Sequence, residues 1–350
     1  MTRPDVKELN GSQCKCYLVT CPETHHAVLI DPHVDFVDRY LAYLAYQRIR
    51  IDFMIDTHTH ADHLSGTRML RQLLDIPVVQ HLKAPNPSVD RHIQHGDDVK
   101  CGNFSMKVLD TPGHTPDSVS LYVGDVVFTG DVLLIGGTGR ADFAGGDAGE
   151  QYDSITRQLF TLPDETVVLP AHDYRGNTSS TIGAEKQGNP RIAGKSRQEY
   201  IDLMNSIEFP LPKNIQEVLQ PNQSAIDDNL VDFPDLGHLN AVRQRDARTV
   251  HEELNTAGAP HILDVREESE FVGELGHIPD STLIPLRKLQ YQIGDLNIDR
   301  DDPIVVVCRS GVRSTTAAAM LTGMGYSHVS NLKGGMLAWN EAGYRSVRSE

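Results

Sequence analysis

Residues 51–63 read IDFMIDTHTHADH, and this stretch decides the fold. The apolar run 51–55 predicts a short buried strand. Directly beyond it, His58, His60, Asp62 and His63 place four metal-binding side chains within six residues. A loop can turn such closely spaced groups inward, and neutral imidazole with carboxylate is an ordinary donor set for a metal ion. The arrangement recurs further along. His114 lies in TPGHTPDS (111–118), Asp131 in TGD (129–131) and His172 in PAHDY (170–174), each after or near a predicted strand. One His-x-His is weak evidence, but an HxHxDH cluster with three later strand-end donors is specific. His25 and His26 sit in a predicted turn, and His92 and His95 in a polar stretch, so these four are read as loop or surface residues.

Around these loops the first half predicts strands at 16–20, 27–30, 77–80, 104–109, 119–123, 126–129 and 166–169. Apolar residues at helical spacing predict helices over 34–49, 64–74 and 151–162. Sheets covered by helices are the expected result. Four prolines (210, 212, 221 and 234) among polar residues then mark 209–235 as a linker. The expected domains are 1–235, linker included, and 236–350. The second predicts a helix over 241–255, strands at 261–265 and 304–307, and a helix over 314–324. Two domains also suit a chain of 350 residues, of which 39% are hydrophobic.

A second chemical signal follows the apolar run 303–307. Residues 308–314 read CRSGVRS, which puts the Cys308 thiol on a tight loop between strand and helix. Backbone N–H groups, the helix dipole and the flanking Arg309 and Arg313 favour an anion there, and so a thiolate. Arg309, Ser310, Gly311, Val312 and Arg313 complete the candidate catalytic loop. Phosphatase loops space Cys and Arg by five residues. Here four residues separate Cys308 from Arg313, a smaller cradle better suited to a terminal sulfur than to a phosphoryl group. The remaining cysteines, 14, 16, 21 and 101, lack such a setting and are read as structural, with Cys14 and Cys16 sharing one face of a strand.

With these residues in place, the region 10–210 resembles the metallo-β-lactamase superfamily, which implies an αββα sandwich with metal at one edge. In that superfamily the seven positions can serve a dinuclear centre: His58, His60 and His114 on one metal, Asp62, His63 and His172 on the other, and Asp131 bridging. A narrower likeness lies in LLIGGTGRADF (133–143), AHDY (171–174) and NPR (189–191), which resemble persulfide dioxygenases. That resemblance implies one Fe(II) per chain on His58, His114 and Asp131, with His60, Asp62, His63 and His172 supporting these ligands. It also implies a glutathione pocket involving Thr115, Arg140, Tyr174 and Arg191. Position 138 is threonine where some relatives carry cysteine, so no cysteine role transfers there. Residues 240–345 resemble rhodaneses through the Cys308 loop, DVRE (264–267), GHIP (276–279) and GGMLAW (334–339). Asp264 and Arg266 are expected to hold loop geometry, and Trp339 to lie in the core.

Together the resemblances imply a bifunctional sulfur enzyme. One half would oxidise glutathione persulfide with O2 to sulfite and glutathione. The other would pass sulfane sulfur among thiosulfate, sulfite and glutathione through a Cys308 persulfide. Two alternatives stay open: a glyoxalase II-like dinuclear zinc thioester hydrolase fused to a rhodanese, and a persulfide carrier or sensor. The formal charge of −16 argues against nucleic acid as a partner. No apolar run reaches the ~18 residues of a membrane span, so no membrane partner is expected. The start resembles neither a secretory signal nor a transit peptide, and five cysteines fit a reducing compartment, so a cytoplasmic location is expected. A homo-oligomer is left open.

Overall fold

The computed structural model describes residues 2–11, 13–47, 49–74, 76–143, 145–207, 215–224, 242–254, 256 and 258–348. By its contacts the chain divides into two compact units, residues 1–36, 50–71 and 75–228 and residues 37–49, 72–74 and 229–350.

The first unit is built on two six-stranded sheets. One runs in sequence order through β1 (Asp5–Glu8), β2 (Tyr17–Thr20), β3 (His26–Ile30), β4 (Arg50–Ile55), β5 (Val78–His81) and β6 (Arg91–Ile93). The other contains β7 (Asp98–Cys101), β8 (Phe104–Asp110), β9 (Val119–Val123), β10 (Val126–Gly130), β11 (Val167–Pro170) and β12 (Ser180–Thr181). Their inner faces share one core, with Val28, Ile30, Phe53 and Ile55 from the first sheet and Met106, Val108, Leu121 and Phe128 from the second. Alternation makes this possible: in β8, Phe104, Met106 and Val108 point inward while Lys107 points to solvent.

Between residues 37 and 223 the helices are α1 (Val37–Gln47), which falls among the residues of the second unit, α2 (Thr67–Leu74), α3 (Ala148–Arg157), α4 (Ile182–Gly188), α5 (Arg197–Ser206) and α6 (Ile215–Gln223). Ile155, Tyr200 and Met204 from α3 and α5 cover the outer face of the second sheet in a core of their own. The expected helix over 151–162 starts earlier and stops earlier. Asp147 caps α3 by accepting the Glu150 N–H, and a 3-10 turn follows at Leu159–Thr161.

The second unit carries a five-stranded parallel sheet in the order β13 (Arg243–Arg245), β17 (His328–Leu332), β16 (Pro303–Val307), β14 (His261–Asp264), β15 (Thr282–Leu283). Its helices are α7 (Ala247–Glu253), α8 (Glu268–Phe271), α9 (Leu289–Gln292), α10 (Val312–Gly323) and α11 (Gly335–Glu341). The expected helix over 241–255 is shorter. Asp246 caps α7 through the Thr249 N–H, so Arg243–Arg245 before it is free to pair as strand β13. Trp339 lies in the core with Ile262, Val305 and Met336.

The linker reading of 209–235 needs correction. Residues 215–223 form α6, because Ile215, Val218 and Leu219 sit at helical spacing that the prolines obscure. The rest of that stretch, and with it the boundary at 235, lies outside the described residues.

Candidate functional site

Strands β4, β8, β10 and β11 deliver the histidine and aspartate donors just past their C-terminal ends. β8 and β10 both pair antiparallel to β9, and β11 pairs parallel to β10, so the loops after these three emerge at one edge of their sheet. The long loop after β4 is pinned by carboxylates. Asp31 accepts the Thr57 N–H and hydroxyl at 2.7 and 2.9 Å, and Asp117 accepts those of Thr59 at 2.9 and 2.7 Å. Asp56 accepts from Ser65 at 2.9 Å and from Gln80 at 2.8 Å.

The outcome is a cluster in which one donor atom each from His58, His114 and Asp131 lies within 4.8 Å of the others. The ring tautomers follow from the hydrogen bonds. His114 Nδ1 is 2.6 Å from the Arg140 carbonyl, which only accepts, so the proton sits on Nδ1. Thr57 gives its hydroxyl proton to Asp31, so its oxygen, 2.9 Å from His58 Nδ1, accepts from that ring as well. In the neutral form of each ring the lone pair is therefore on Nε2, which faces Asp131 Oδ2 at 3.9 Å (His58) and 3.7 Å (His114). Burial, with the neighbouring His60, pushes the His58 pKa well below the ordinary histidine value and keeps the ring neutral. Two lone pairs and a carboxylate aimed at one point fit a cation between them.

His172 closes the cluster from the other side. Its Nδ1 is 2.7 Å from Asp131 Oδ1 and its Nε2 2.8 Å from Asp62 Oδ2. Burial opposes a charge on this ring, but the two carboxylates outweigh it and hold its pKa well above the ordinary value. Burial likewise opposes ionisation of Asp131, yet His172 with His58 and His114 holds it below the usual carboxylate range. A second donor group lies alongside, formed by Cys14, Asp62, His63 and His172. His60 is separate: its Nε2 lies 3.3 Å from Asp31 Oδ1, and neither ring nitrogen is aligned for a hydrogen bond.

A cavity of about 640 Å³ opens over this edge, with Cys14, Asp131, Arg140, His172, Tyr174 and Arg191 on its wall. Tyr174 stacks on His172 with ring planes 5° apart and is 63% exposed. Arg140 holds Asp142 through two contacts of 2.6 and 2.8 Å, and Arg191 donates to the Thr138 carbonyl. The loop beneath is fixed by buried polar side chains. Gln151 donates to Val132 O and Gly139 O, and Glu185 accepts from the Gly136 N–H.

In the second unit Cys308 is buried at the C-terminal end of β16. The Gly311 N–H donates to its sulfur at 3.2 Å, and the Ser314 hydroxyl, 3.3 Å from that sulfur, gives its single proton to Asn331 Oδ1 at 2.5 Å. Arg313 pairs with Glu270 at 2.8 and 2.6 Å, which offsets part of the positive charge expected at the loop. The Gly334–Gly335 turn backs the loop: the Met336 and Leu337 N–H groups donate to Cys308 O and Arg309 O. Arg266 is fully buried and spans Asp264, Glu270 O and Gly276 O.

Comparison with known proteins agrees with both halves. Residues 9–172 match the metallo-beta-lactamase superfamily and residues 246–342 the rhodanese-like domain. The persulfide dioxygenase ETHE1 of Homo sapiens is 37% identical over 210 residues, covering 59% of this chain and 82% of that protein. The chain belongs to the persulfide dioxygenase family. The crystal structure of ETHE1 from Myxococcus xanthus is 44% identical and covers 63% of this chain and 98% of that one, with a TM-score of 0.61. A metallo-beta-lactamase structure from Staphylococcus aureus spans 95% of this chain and 99% of its own at 25% identity and a TM-score of 0.59. This member of the persulfide dioxygenase family therefore combines a metallo-β-lactamase domain with a C-terminal rhodanese-like domain, as its sequence resemblances imply.

Of the expected pocket residues, Arg140, Tyr174 and Arg191 line the cavity. Thr115 stands apart: it is buried, its hydroxyl lies 2.7 Å from Ser118 Oγ, and it is not on the cavity wall. The reading of Cys14 as structural also changes. It precedes β2, bridges to His172 through the backbone, and brings its sulfur 3.4 Å from Asp62 Oδ2. No local motif marks Cys14, because only the fold brings it against residues 62 and 172. Cys16, Cys21 and Cys101 are buried in or beside strands.

Proposed function

We propose that the N-terminal domain oxidises glutathione persulfide with O2 and water to sulfite and glutathione, using one Fe(II) held by His58, His114 and Asp131. The observation that carries this reading is the convergence of two Nε2 atoms, on rings anchored through Nδ1, toward one carboxylate. Two histidines and one carboxylate suit Fe(II), which when bound supplies open coordination positions and the redox chemistry that O2 requires. The chain does the rest. The Arg140 carbonyl and Thr57 fix the two rings, and His172 holds Asp131 through its ring N–H. Arg191 and Arg140 line the cavity and would meet the carboxylates of glutathione, Arg140 by exchanging its pairing with Asp142. A cavity of about 640 Å³ falls within the range that accepts a ligand of this size.

The rhodanese-like domain would accept sulfane sulfur on Cys308. Its sulfur attacks the outer sulfur of thiosulfate, the S–S bond breaks, sulfite leaves, and the Cys308 persulfide then passes its outer sulfur to a thiol such as glutathione or back to sulfite. The Gly311 N–H would stabilise the charge on sulfur. The two domains could exchange substrates, with the tether raising their effective concentration. Five cysteines without a disulfide suit a reducing compartment such as the cytoplasm. Among the described residues no helix is long and apolar enough to cross a membrane.

The second donor group, Cys14 with Asp62, His63 and His172, supports one alternative: a dinuclear zinc centre that hydrolyses a glutathione thioester. Oxygen uptake on adding glutathione persulfide, measured on protein loaded in parallel with Fe(II) and with Zn(II), decides. Uptake with iron alone, sulfite appearing, supports the dioxygenase. No uptake with either metal, and two zinc ions per chain, would favour the hydrolase.

A further inference from the structure

Asn222, near the end of α6, spends its whole side-chain amide on the loop that follows β4. Its Nδ2 donates to His60 O and His63 O, both at 2.9 Å, and its Oδ1 accepts the Ser65 N–H at 3.0 Å. These partners settle which way the amide faces, since the two carbonyls only accept and the Ser65 N–H only donates. The loop is irregular, so its backbone groups need partners from outside it. One side chain thus ties down three points within six residues, at His60, His63 and Ser65, and Asp62 lies between the first two. Pro221, Asn222 and Ser224 also wall a cavity of about 20 Å³ against Asp56, His58 and His60, room for a single water. Both His60 ring nitrogens and Gln80 Oε1, buried on that wall, lack a hydrogen-bond partner.

We propose that Asn222 is a positioning residue of the metal centre. It clamps the backbone of residues 60–65 in the shape that aims the donor side chains, and α6 is thereby part of the metal-binding unit rather than a tether. α6 begins 34 residues after β12, the last strand of the sandwich, yet it supplies the partners of the loop that carries the HxHxDH pattern. Partners of this outer kind typically change metal affinity ~10–100-fold. The inference rests on the reading of this edge as a metal site, and the experiment keeps the two apart.

Co(II) serves as the probe, titrated anaerobically into the full chain and followed by its visible absorption. Asn222→Ala is expected to bind it ~10–100-fold more weakly, with a shifted spectrum. Asn222→Asp should do no better, because it keeps an acceptor for Ser65 but turns a second oxygen on two carbonyls. Val99→Ala, a core truncation in β7, should lower the melting temperature with affinity and spectrum unchanged. Asp131→Ala should not bind; wild-type binding by that variant overturns the metal reading and the clamp's role with it. Loss in Asp131→Ala with wild-type affinity and spectrum in Asn222→Ala overturns the clamp alone. Should Asn222→Ala not fold, amide hydrogen exchange of the wild-type chain decides: Ser65 N–H is expected to be protected, and exchange at the rate of an open amide overturns the proposal.

Discussion

Gly335 offers a sharp test of how the sulfur-transfer loop is held. Its φ is +57°, and a Cβ there would meet Cys308 O at 2.3 Å, Arg309 C at 2.7 Å and Arg309 O at 2.8 Å. Real Cβ atoms essentially never approach closer than 3.0 Å, so Gly335→Ala must displace the Cys308–Arg309 backbone that follows the thiol by about 0.7 Å. The atoms in the way are backbone, with no flexible side chain to give. The left-handed conformation adds ~1–2 kcal/mol for a residue with a Cβ. A displacement approaching 1 Å at reacting groups can cost ~10²-fold. Gly335→Ala should therefore lower kcat/KM for thiosulfate-dependent sulfur transfer by about that factor. Gly343→Ala is the matched control: its φ is +75°, but a Cβ there meets nothing within 4 Å. It should cost ~1–2 kcal/mol of stability and leave sulfur transfer within about twofold. Steady-state sulfurtransferase kinetics with thermal melts on both variants reads the difference. Near-wild-type transfer by Gly335→Ala, or an equal loss in both, would refute the idea that the glycine pair sets the loop.

Cys308→Ser is expected to abolish sulfur transfer and largely spare persulfide-dependent oxygen uptake; equal loss of both in a folded variant would show that the two chemistries share a centre. Asp131→Ala should lose the metal, read as iron per chain after reconstitution and desalting, and full retention would remove Asp131 from the ligand set. Asp264→Ala leaves the fully buried Arg266 without its carboxylate. It should destabilise the rhodanese-like domain by ~3–5 kcal/mol in denaturant unfolding, and a change under ~1 kcal/mol would mean that water or movement relieves the charge.

The histidine and aspartate donors were legible because each follows a short apolar strand, and strand ends on one edge converge whatever the details of packing. The Cys308 loop was legible for a similar reason: an apolar β-branched run, a thiol, glycine and a helix describe one local turn. What the sequence did not reveal depends on contacts between distant segments. Cys14 touches Asp62 across 48 residues, and Asn222 reaches His60 across 162. The prolines of 209–235 argued for a linker on composition, while three apolar residues at helical spacing were enough to form α6. Arg313 shows the opposite error. Its place in the sequence suggests a cation for the thiol, but the fold commits it to Glu270, and the groups that touch the sulfur are Gly311 N–H and Ser314 Oγ.

Seven donors in the right order are not seven ligands, and the hydrogen bonds separate them. A metal ligand needs a lone pair turned to the ion and its other polar atoms held elsewhere. His58 and His114 meet both conditions, each with Nδ1 anchored and Nε2 open. His172 meets neither, since both of its nitrogens lie on carboxylates at 2.7 and 2.8 Å. His60, for its part, places its Nε2 3.3 Å from Asp31 Oδ1. On the proposed reading with one metal on the first group, His172 would be the group that holds Asp131 in place. Replacing that group should then loosen the carboxylate before it touches the metal itself: His172→Gln should keep one iron per chain but bind it more weakly, whereas a centre with two metals would lose the second ion outright. Metal counting on that variant, alongside its affinity, distinguishes the two arrangements.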